Sequence, residues 1–188
     1  LLSRRQRQMC IRDRCERLDV PLHVVHFDTA AYASQHHVSI EMAARELRYR
    51  YFKNLALQIG AEHVAVAHHQ NDSVETFLLN LIRGTGINGL RGIRSKNGEI
   101  VRPLLSVSRK EILEYLAELE QEYVMDSTNL QDEYTRNKIR LNVLPLMESI
   151  NPSVQNNIVA TSEYLSEIAE VYNSLMEKGK KKVVVPFS

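Results

Sequence analysis

A group of histidines and carboxylates follows a short apolar run in the middle of the chain. The run His63–Ala67 is followed by His68 and His69, and then by Asp72 and Glu75, which are three residues apart. Residues at that spacing project from one face of a helix. A carboxylate pair at a helix N-terminus beside histidines could hold Mg²⁺ or orient a polar substrate. The alternative is that Asp72 is only a helix cap and that Glu75 is a surface residue compensating the helix dipole.

Basic side chains in three other segments could bind an anion. Arg45 and Arg48 share one stripe of a predicted helix, Arg83 stands beside Gly84-Thr85-Gly86, and Arg136, Asn137, Lys138 and Arg140 begin another helix. Glycine-rich backbone can bring amide groups close to an anion, and clustered arginines suit phosphate or RNA. Solvated helix faces would explain the same residues, and the spacing leaves both interpretations open.

The seven histidines of the chain do not predict a zinc site. No His-Glu-x-x-His sequence occurs, and no cysteine accompanies the histidines. His68 and His69, adjacent on a strand, would point to opposite faces of a sheet, whereas zinc ligands must converge.

The elements that would position these groups alternate between strand and helix. The apolar runs Leu22–Phe27 and His63–Ala67 predict two buried strands. A long helix is predicted from Ser39 to Gly60 between them, because a capping serine opens it and glycine ends it. A helix from about Asp72 to Arg83 follows, with Val74, Phe77, Leu78 and Leu81 as its core stripe. This order predicts an α/β fold in which the two strands are parallel neighbours joined by a right-handed crossover.

The second half of the chain is predicted to be mainly helical. Ile93–Pro103 resembles a hairpin that turns at Asn97-Gly98, and Ser108 with Glu111 forms a capping box ahead of a helix. Further elements are a strand at Tyr123–Met125, a helix at Thr135–Met147, and a long helix that begins after Asn151-Pro152 and ends near Gly179. We therefore expect an α/β domain at 15–130, a helical extension at 131–180, and the start of a linker or further domain at 181–188.

Residues 1–14 (LLSRRQRQMCIRDR) fit none of these patterns. The segment is basic and lacks an apolar period, so we expect a non-native leader, with a basic RNA-binding arm as the alternative. The net charge of +1 favours no partner class. Two cysteines are too few for a disulfide framework, and no apolar run approaches the roughly 20 residues that span a bilayer. A cytoplasmic location without membrane contact is expected.

Four blocks in this order resemble the tRNA(Ile)-lysidine synthase family of the PP-loop ATP pyrophosphatases. They are SIEMAARELRYRYF, VAVAHHQNDSVETFLLNLIRGTGINGLRGI, VRPLL and MDSTNLQDEYTRNKIRLNVLPLM. The resemblance covers about Cys15 to Met147 and implies the Rossmann-like fold of adenine nucleotide alpha hydrolases. The chain would be most of the N-terminal catalytic domain, truncated at its own N-terminus.

The resemblance implies ATP-dependent ligation of lysine to C2 of the wobble cytidine in tRNA(Ile) with a CAU anticodon. The cytidine is adenylated first, and the amine of free lysine then displaces AMP to give lysidine. ATP and Mg²⁺ would be required. The site residues expected by motif are His68, Asp72, Glu75 and Arg140 as catalytic groups, Asp72 as metal ligand, and Arg45, Arg48, Arg83, Arg136 and Asn137 as substrate-binding groups.

The chain departs from the family pattern at two places. Asn71 stands where the family has the first of two aspartates, so only Asp72 is carried over. The Ser-Gly-Gly-x-Asp-Ser loop that grips pyrophosphate is not in the chain, and we expect the chain alone to be inactive. The alternatives are a 2-thiolation enzyme of the PP-loop group, which would need more cysteines, and a nonenzymatic RNA-binding remnant.

Overall fold

The structure is a computed structural model that describes residues 4–123 and 135–183. In chain order the elements are α1 (Arg4–Arg17), α2 (Thr29–His36), α3 (Ile40–Ile59), β1 (Val64–Ala65), α4 (Gln70–Ile82), β2 (Lys96–Asn97), β3 (Ile100–Val101), α5 (Arg109–Glu118), α6 (Thr135–Lys138), a π-helical turn (Ile139–Val143), α7 (Leu144–Ile150) and α8 (Val154–Val183). Within these residues, no helix combines the length and apolarity required to cross a membrane.

Helix α3 begins and ends, and helix α5 begins, at the residues that the sequence singles out. The Ser39 hydroxyl accepts a hydrogen bond from the backbone N–H of Met42 at 3.1 Å, and α3 ends at Gly60 with φ +68°. That left-handed conformation favours glycine because a Cβ would be strained there. The capping box is present on α5, where Ser108 accepts from the N–H of Glu111 and Glu111 accepts from that of Ser108. These predictions are confirmed.

The strands of the three-stranded sheet are shorter than predicted, and the parallel pair consists of different strands from the predicted ones. The sheet has the order β1-β3-β2, and β1 pairs with β3 in parallel, with Val64 opposite Ile100 and Ala65 opposite Val101. The predicted strand at His63–Ala67 is therefore confirmed over two residues. The hairpin is also confirmed, with Gly98 at φ +60° in its turn.

The predicted strand at Leu22–Phe27 is wrong, and so is its pairing with His63–Ala67. This segment has no regular secondary structure. No backbone hydrogen bond among the described residues joins it to another segment. An apolar run becomes a strand only when a neighbouring strand satisfies its N–H and C=O groups. Residues 4–14, left out of the predicted fold, belong to helix α1.

The chain forms two compact units, Leu1–Ala65 with Gly98–Val101, and Val66–Asn97 with Arg102–Ser188. The second unit contains a core formed by Val74, Phe77, Leu78, Leu79, Ile139, Leu144 and Ile158. Leu81, predicted to be in the α4 stripe, is 52% exposed, and Leu79 is buried in its place. The apolar face of α4 therefore departs from the predicted stripe at its C-terminal end.

The helical second half follows the prediction with two differences. The predicted helix at Thr135–Met147 is interrupted by the π-helical turn, and the last helix continues past Gly179 to Val183. A glycine within a helix costs stability but does not by itself end the helix. Of the predicted strand Tyr123–Met125, only Tyr123 belongs to the described residues, and it has no regular secondary structure. The other two residues of that prediction lie outside the described residues.

Candidate active site

The N-terminus of α4 fixes the position of the central carboxylates. His69 is its N-cap, and the Asp72 carboxylate accepts the backbone N–H of His69 at 2.9 Å. The N–H of Gln70 donates to the carbonyl oxygen of Val107 at 2.9 Å, which ties the helix start to the segment before α5. Asp72 therefore does help to cap the helix, as the alternative interpretation has it. That contact uses one of the two carboxylate oxygens, which leaves the other for a second role.

Glu75 is buried and paired with Arg140. The glutamate is 2% exposed, and its two oxygens accept hydrogen bonds from Nε and Nη2 of Arg140 at 2.6 and 3.0 Å. A buried carboxylate needs such a partner, and the planar guanidinium matches both oxygens at once. The interpretation of Glu75 as a surface residue is wrong. The contact joins two of the sequence blocks through side chains 65 positions apart.

The π-helical turn places Arg140 for this contact. Ile139 is 1% exposed and belongs to the core, while Arg140, the next residue, pairs with the buried Glu75. Turns of this kind inside helices shift the side-chain register and are frequent at functional sites. The turn anchors one residue in the core while its neighbour holds the carboxylate.

Arg140 lies in a negative local field. Its pKa is raised, chiefly by the hydrogen bond to Glu75 and then by the charges of Glu75 and Asp72, against the opposing effect of burial. The charge of Asp72 therefore reaches the same guanidinium. Since arginine is already cationic at every working pH, the raised pKa leaves the charge of Arg140 unchanged. The cluster of Asp72, Glu75 and Arg140 carries two negative charges and one positive charge.

Asn71 connects the N-termini of three helices. Its Oδ1 accepts the backbone N–H of Arg109 in α5 at 2.8 Å, and its Nδ2 donates to Oε1 of Gln155 in α8 at 2.6 Å. Gln155 in turn donates to Glu148 at 2.6 Å. Sequence reasoning treated Asn71 only as a neighbour of Asp72. Its amide, which donates and accepts at once, suits this position better than an acceptor-only aspartate.

His68 is held by an arginine that sequence reasoning missed. Nε of Arg102 donates to Nδ1 of His68 at 3.1 Å, and Arg102 is 9% exposed. The only sequence signal for Arg102 was its place in the block VRPLL, which the predicted site did not use. Burial of an arginine cannot be inferred from such a short segment.

The remaining substrate-binding candidates of the second unit, Arg136, Asn137 and Arg83, lie at different positions relative to α4. Nη2 of Arg136 donates to the Thr76 hydroxyl at 3.1 Å, and Asn137 is 9% exposed. The side chain of Arg136 therefore contacts the α4 residue that follows Glu75. Asn137 is the next residue in the chain after Arg136. Arg83 is exposed at the C-cap of α4. Eleven residues at about 1.5 Å each separate it from Asp72 by roughly 16 Å, so any substrate that contacts both must be extended.

Arg45 and Arg48 belong to the first unit. Arg45 lies over the Tyr49 ring at 5.0 Å, a cation–π contact within α3. Arg48 lines a cavity of about 440 Å³ together with His26, Phe27 and Tyr51. Their substrate-binding role stays a prediction.

The carboxylates do not form a complete metal site. Among the described residues, no group of three or more histidine, cysteine or acidic side chains could hold a metal ion. Both oxygens of Glu75 are engaged by Arg140, and one oxygen of Asp72 accepts from His69. Asp72 could therefore offer a single oxygen to Mg²⁺. Because Mg²⁺ commonly binds through one or two carboxylates plus substrate phosphates, Asp72 fits as one ligand of an ion carried by a nucleotide.

Comparison with known proteins gives one family and a set of close relatives. Residues 3–147 match the family described as PP-loop domain. The chain is 54% identical over 176 residues to the tRNA(Ile)-lysidine synthase of Bacteroides thetaiotaomicron, covering 94% of this chain and 41% of that protein. It is 56% identical over 170 residues to that of Parabacteroides distasonis, covering 90% and 39%. The chain thus spans about two fifths of the length of these relatives.

A solved structure shows a similar fold. The U34-tRNA thiolase NcsA from Methanococcus maripaludis with its [4Fe-4S] cluster matches at a TM-score of 0.63 and 17% identity, over 86% of this chain and 56% of that one. At that identity the likeness concerns the fold alone. It agrees with the α/β interpretation of the sequence.

Proposed function

Because this chain belongs to the PP-loop domain family, we propose that it is the catalytic part of an enzyme that ligates lysine to the wobble cytidine of tRNA(Ile) with a CAU anticodon. The reaction adenylates C2 of the cytidine with ATP, and the amine of lysine then displaces AMP to form lysidine. The observation that supports this most is the bidentate pair of Glu75 and Arg140. It joins, by direct contact, two sequence blocks in which the resemblance independently expects catalytic residues.

Each side chain of the cluster has a role that its contacts favour. Arg140 stabilises negative charge that develops on phosphate oxygens during adenylation, as fixed guanidinium groups do. Glu75 orients Arg140, because both of its oxygens are engaged by that one side chain. Arg136 and Asn137, one turn before Arg140, bind the RNA or the nucleotide. Arg83 contributes a further contact to an extended polyanion, and the substrate-binding role of Arg45 and Arg48 stays a prediction.

Asp72 is our candidate for the base that accepts a proton from the lysine ammonium. A lysine ammonium must lose a proton before it can attack carbon, so a base within reach is needed. One oxygen of Asp72 accepts from His69, and no hydrogen bond to the other is found among the described residues. Glu75 has no such oxygen. In the adenylation step the same oxygen would instead be a ligand of the Mg²⁺ that ATP brings, which would neutralise phosphate charge; it would accept the proton of lysine only in the second step.

The proposed enzyme acts in the cytoplasm, where its tRNA and free lysine are found. Two cysteines, Cys10 and Cys15, both unpaired, argue against the 2-thiolation alternative, since that chemistry relies on cysteine pairs or a cluster. The nonenzymatic remnant stays the second alternative, and ATP consumption distinguishes it from an enzyme.

The test uses the full-length gene product that contains this sequence. The protein is incubated with ATP, Mg²⁺, isotopically labelled lysine and a tRNA(Ile) transcript with a CAU anticodon, and the nucleosides are analysed by mass spectrometry. We expect label in a modified cytidine, none with a GAU transcript, and a loss of roughly 100-fold or more for Asp72→Asn. Glu118→Gln, an exposed change on α5, is the matched control and should keep full activity.

Other products would contradict the proposal in distinguishable ways. A gain of sulfur by the transcript would indicate thiolation. Binding of tRNA without ATP consumption would indicate a remnant. Lysidine formation at the normal rate by a folded Asp72→Asn protein would refute the role assigned to that carboxylate while leaving the activity in place.

A further inference from the structure

Arg102 is a buried cation held by three hydrogen bonds. Its side chain donates from Nε to Nδ1 of His68 at 3.1 Å and from Nη1 to the carbonyl oxygen of Arg94 at 2.7 Å. Its backbone N–H donates to the carbonyl oxygen of Ser95 at 2.9 Å. With 9% of its surface exposed, this arginine has a fixed position at the end of β3. Arg102 is therefore a positioned hydrogen-bond donor to His68.

The hydrogen bond to His68 determines where the imidazole can carry a proton. A guanidinium group has only donors, so Nδ1 of His68 must accept and must be unprotonated. A neutral imidazole then carries its single proton on Nε2. The doubly protonated ring would face the guanidinium with a donor against a donor and with two positive charges in contact. This geometry therefore favours the neutral Nε2–H form.

The charge of Arg102 has no acidic partner in the described part of the chain. The ion pairs found there involve Asp72, Glu75, Glu114 and Glu177, and none includes Arg102. Burying a cation without a counter-charge is costly. A positive charge at Nδ1 of the imidazole also makes Nε2–H a stronger donor, because hydrogen-bond partners polarise one another. An anion at Nε2 would therefore balance the charge of Arg102 through the ring.

We propose that Arg102 is a positioning residue that holds His68 in its Nε2–H form, so that His68 donates a hydrogen bond to an anionic oxygen of the substrate. A phosphate oxygen of the nucleotide is the chemical class that this donor takes. His68 then does not accept the proton of the lysine amine, and that task falls to a carboxylate. The identity of the anion rests on the proposed function, whereas the form of the imidazole does not.

Nuclear magnetic resonance tests the form of the ring directly. The full-length gene product is labelled with ¹⁵N-histidine, and long-range ¹H–¹⁵N spectra at neutral pH distinguish the protonated from the unprotonated nitrogen. His68 is assigned by the signal lost in His68→Gln. We expect protonated Nε2 and unprotonated Nδ1. A proton on Nδ1, or on both nitrogens, would overturn the proposal, and this readout is independent of any activity.

Replacing Arg102 shows whether this residue is the cause. In Arg102→Met we expect the His68 signals to change to a mixture of the two neutral forms or to the doubly protonated form. In Arg91→Met, a control that removes a charge from a nearby segment, they should be unchanged. An unaltered His68 signal in a folded Arg102→Met protein would refute the role of Arg102. If that variant does not fold, the wild-type spectrum still decides the form of the His68 ring.

The activities of two His68 variants test whether His68 acts as a hydrogen-bond donor or as a general base. Glutamine can donate from a position close to that of Nε2 but cannot accept a proton at neutral pH. His68→Gln should therefore keep activity within about tenfold of wild type, while His68→Ala should lose roughly 100-fold, the usual effect of removing one preorganised donor. Equal, complete loss in both folded variants would show that His68 is a base and would overturn the proposal. Absence of lysidine formation in the wild type would instead refute the proposed function.

Discussion

The two compact units differ in what their apolar side chains contact. In the second unit, α4 buries Val74 and Phe77 in a core shared with Ile139. In the first unit, the buried apolar residues found among the described ones are alanines, while Leu57 on α3 is 73% exposed. The bidentate pair of Glu75 and Arg140 lies in the unit with the core. A packed core fixes the backbone, and a fixed backbone preorganises the groups that it carries.

The largest effect that tests this contrast is on stability. Ile139→Ala removes a side chain that is 1% exposed and should lower the free energy of unfolding by about 3 kcal/mol, as cavity-forming changes do. The matched change in the other unit, Leu57→Ala, should alter it by less than roughly 0.5 kcal/mol, because that side chain is mostly in water. Urea denaturation measures both. Equal losses would refute the contrast between the units.

A smaller effect is expected from the buried ion pair. Glu75→Gln leaves Arg140 without its counter-charge, and we expect a loss of about 2 kcal/mol. This is below the roughly 3–5 kcal/mol usual for fully buried pairs, because the Arg140 side chain is 27% exposed. Glu114→Gln breaks an exposed pair with Lys110 and should cost less than about 0.5 kcal/mol. Thermal and urea unfolding of the two variants compare them, and a cost for Glu75→Gln as small as that of Glu114→Gln would contradict this account.

The smallest effect concerns the cap of α5. Ser108→Ala should cost about 1 kcal/mol through loss of the cap. The hydrogen bonds of the side chain and backbone of Ser108 lower the pKa of Glu111. A lowered carboxyl pKa contributes stability above its unfolded value of about 4.5, and the contribution is lost as the pH falls through the folded value. The difference between wild type and variant should therefore shrink in acid. Urea unfolding at neutral and acidic pH checks this, and a constant difference would contradict it.

Local patterns predicted the elements whose ends are set by neighbouring residues. Ser39 and Gly60 bound α3, and Ser108 with Glu111 begins α5, because capping is a contact over three or four residues. The strand at Leu22–Phe27 could not be predicted correctly from its own residues. Whether an apolar run joins a sheet depends on a partner strand elsewhere in the chain.

In the candidate site, too, local sequence identified residues but not the contacts between distant segments. The types and spacing of Asp72 and Glu75 singled them out, but spacing alone could not separate a cap from a buried ion pair. Arg140 was identified by resemblance, and it contacts Glu75 from within the π-helical turn. Arg102 was missed because its role comes from burial against His68, a contact between positions 34 apart. The substrate-binding role of Arg48 stays a prediction.

The central claim is that the pair of Glu75 and Arg140 serves chemistry rather than stability. Buried ion pairs can be replaced by apolar residues of similar size without loss of stability. The variant Glu75→Leu/Arg140→Met of the full-length gene product should therefore unfold within about 1 kcal/mol of wild type. Its matched control is Lys110→Met/Glu114→Leu, which removes an exposed pair.

The deciding measurement is the rate of lysidine formation on the tRNA(Ile) transcript by these two double variants. We predict that the folded Glu75→Leu/Arg140→Met protein is at least about 100-fold slower than wild type, and that Lys110→Met/Glu114→Leu works at the wild-type rate. Lysidine formation at the wild-type rate by the folded Glu75→Leu/Arg140→Met protein would contradict the account.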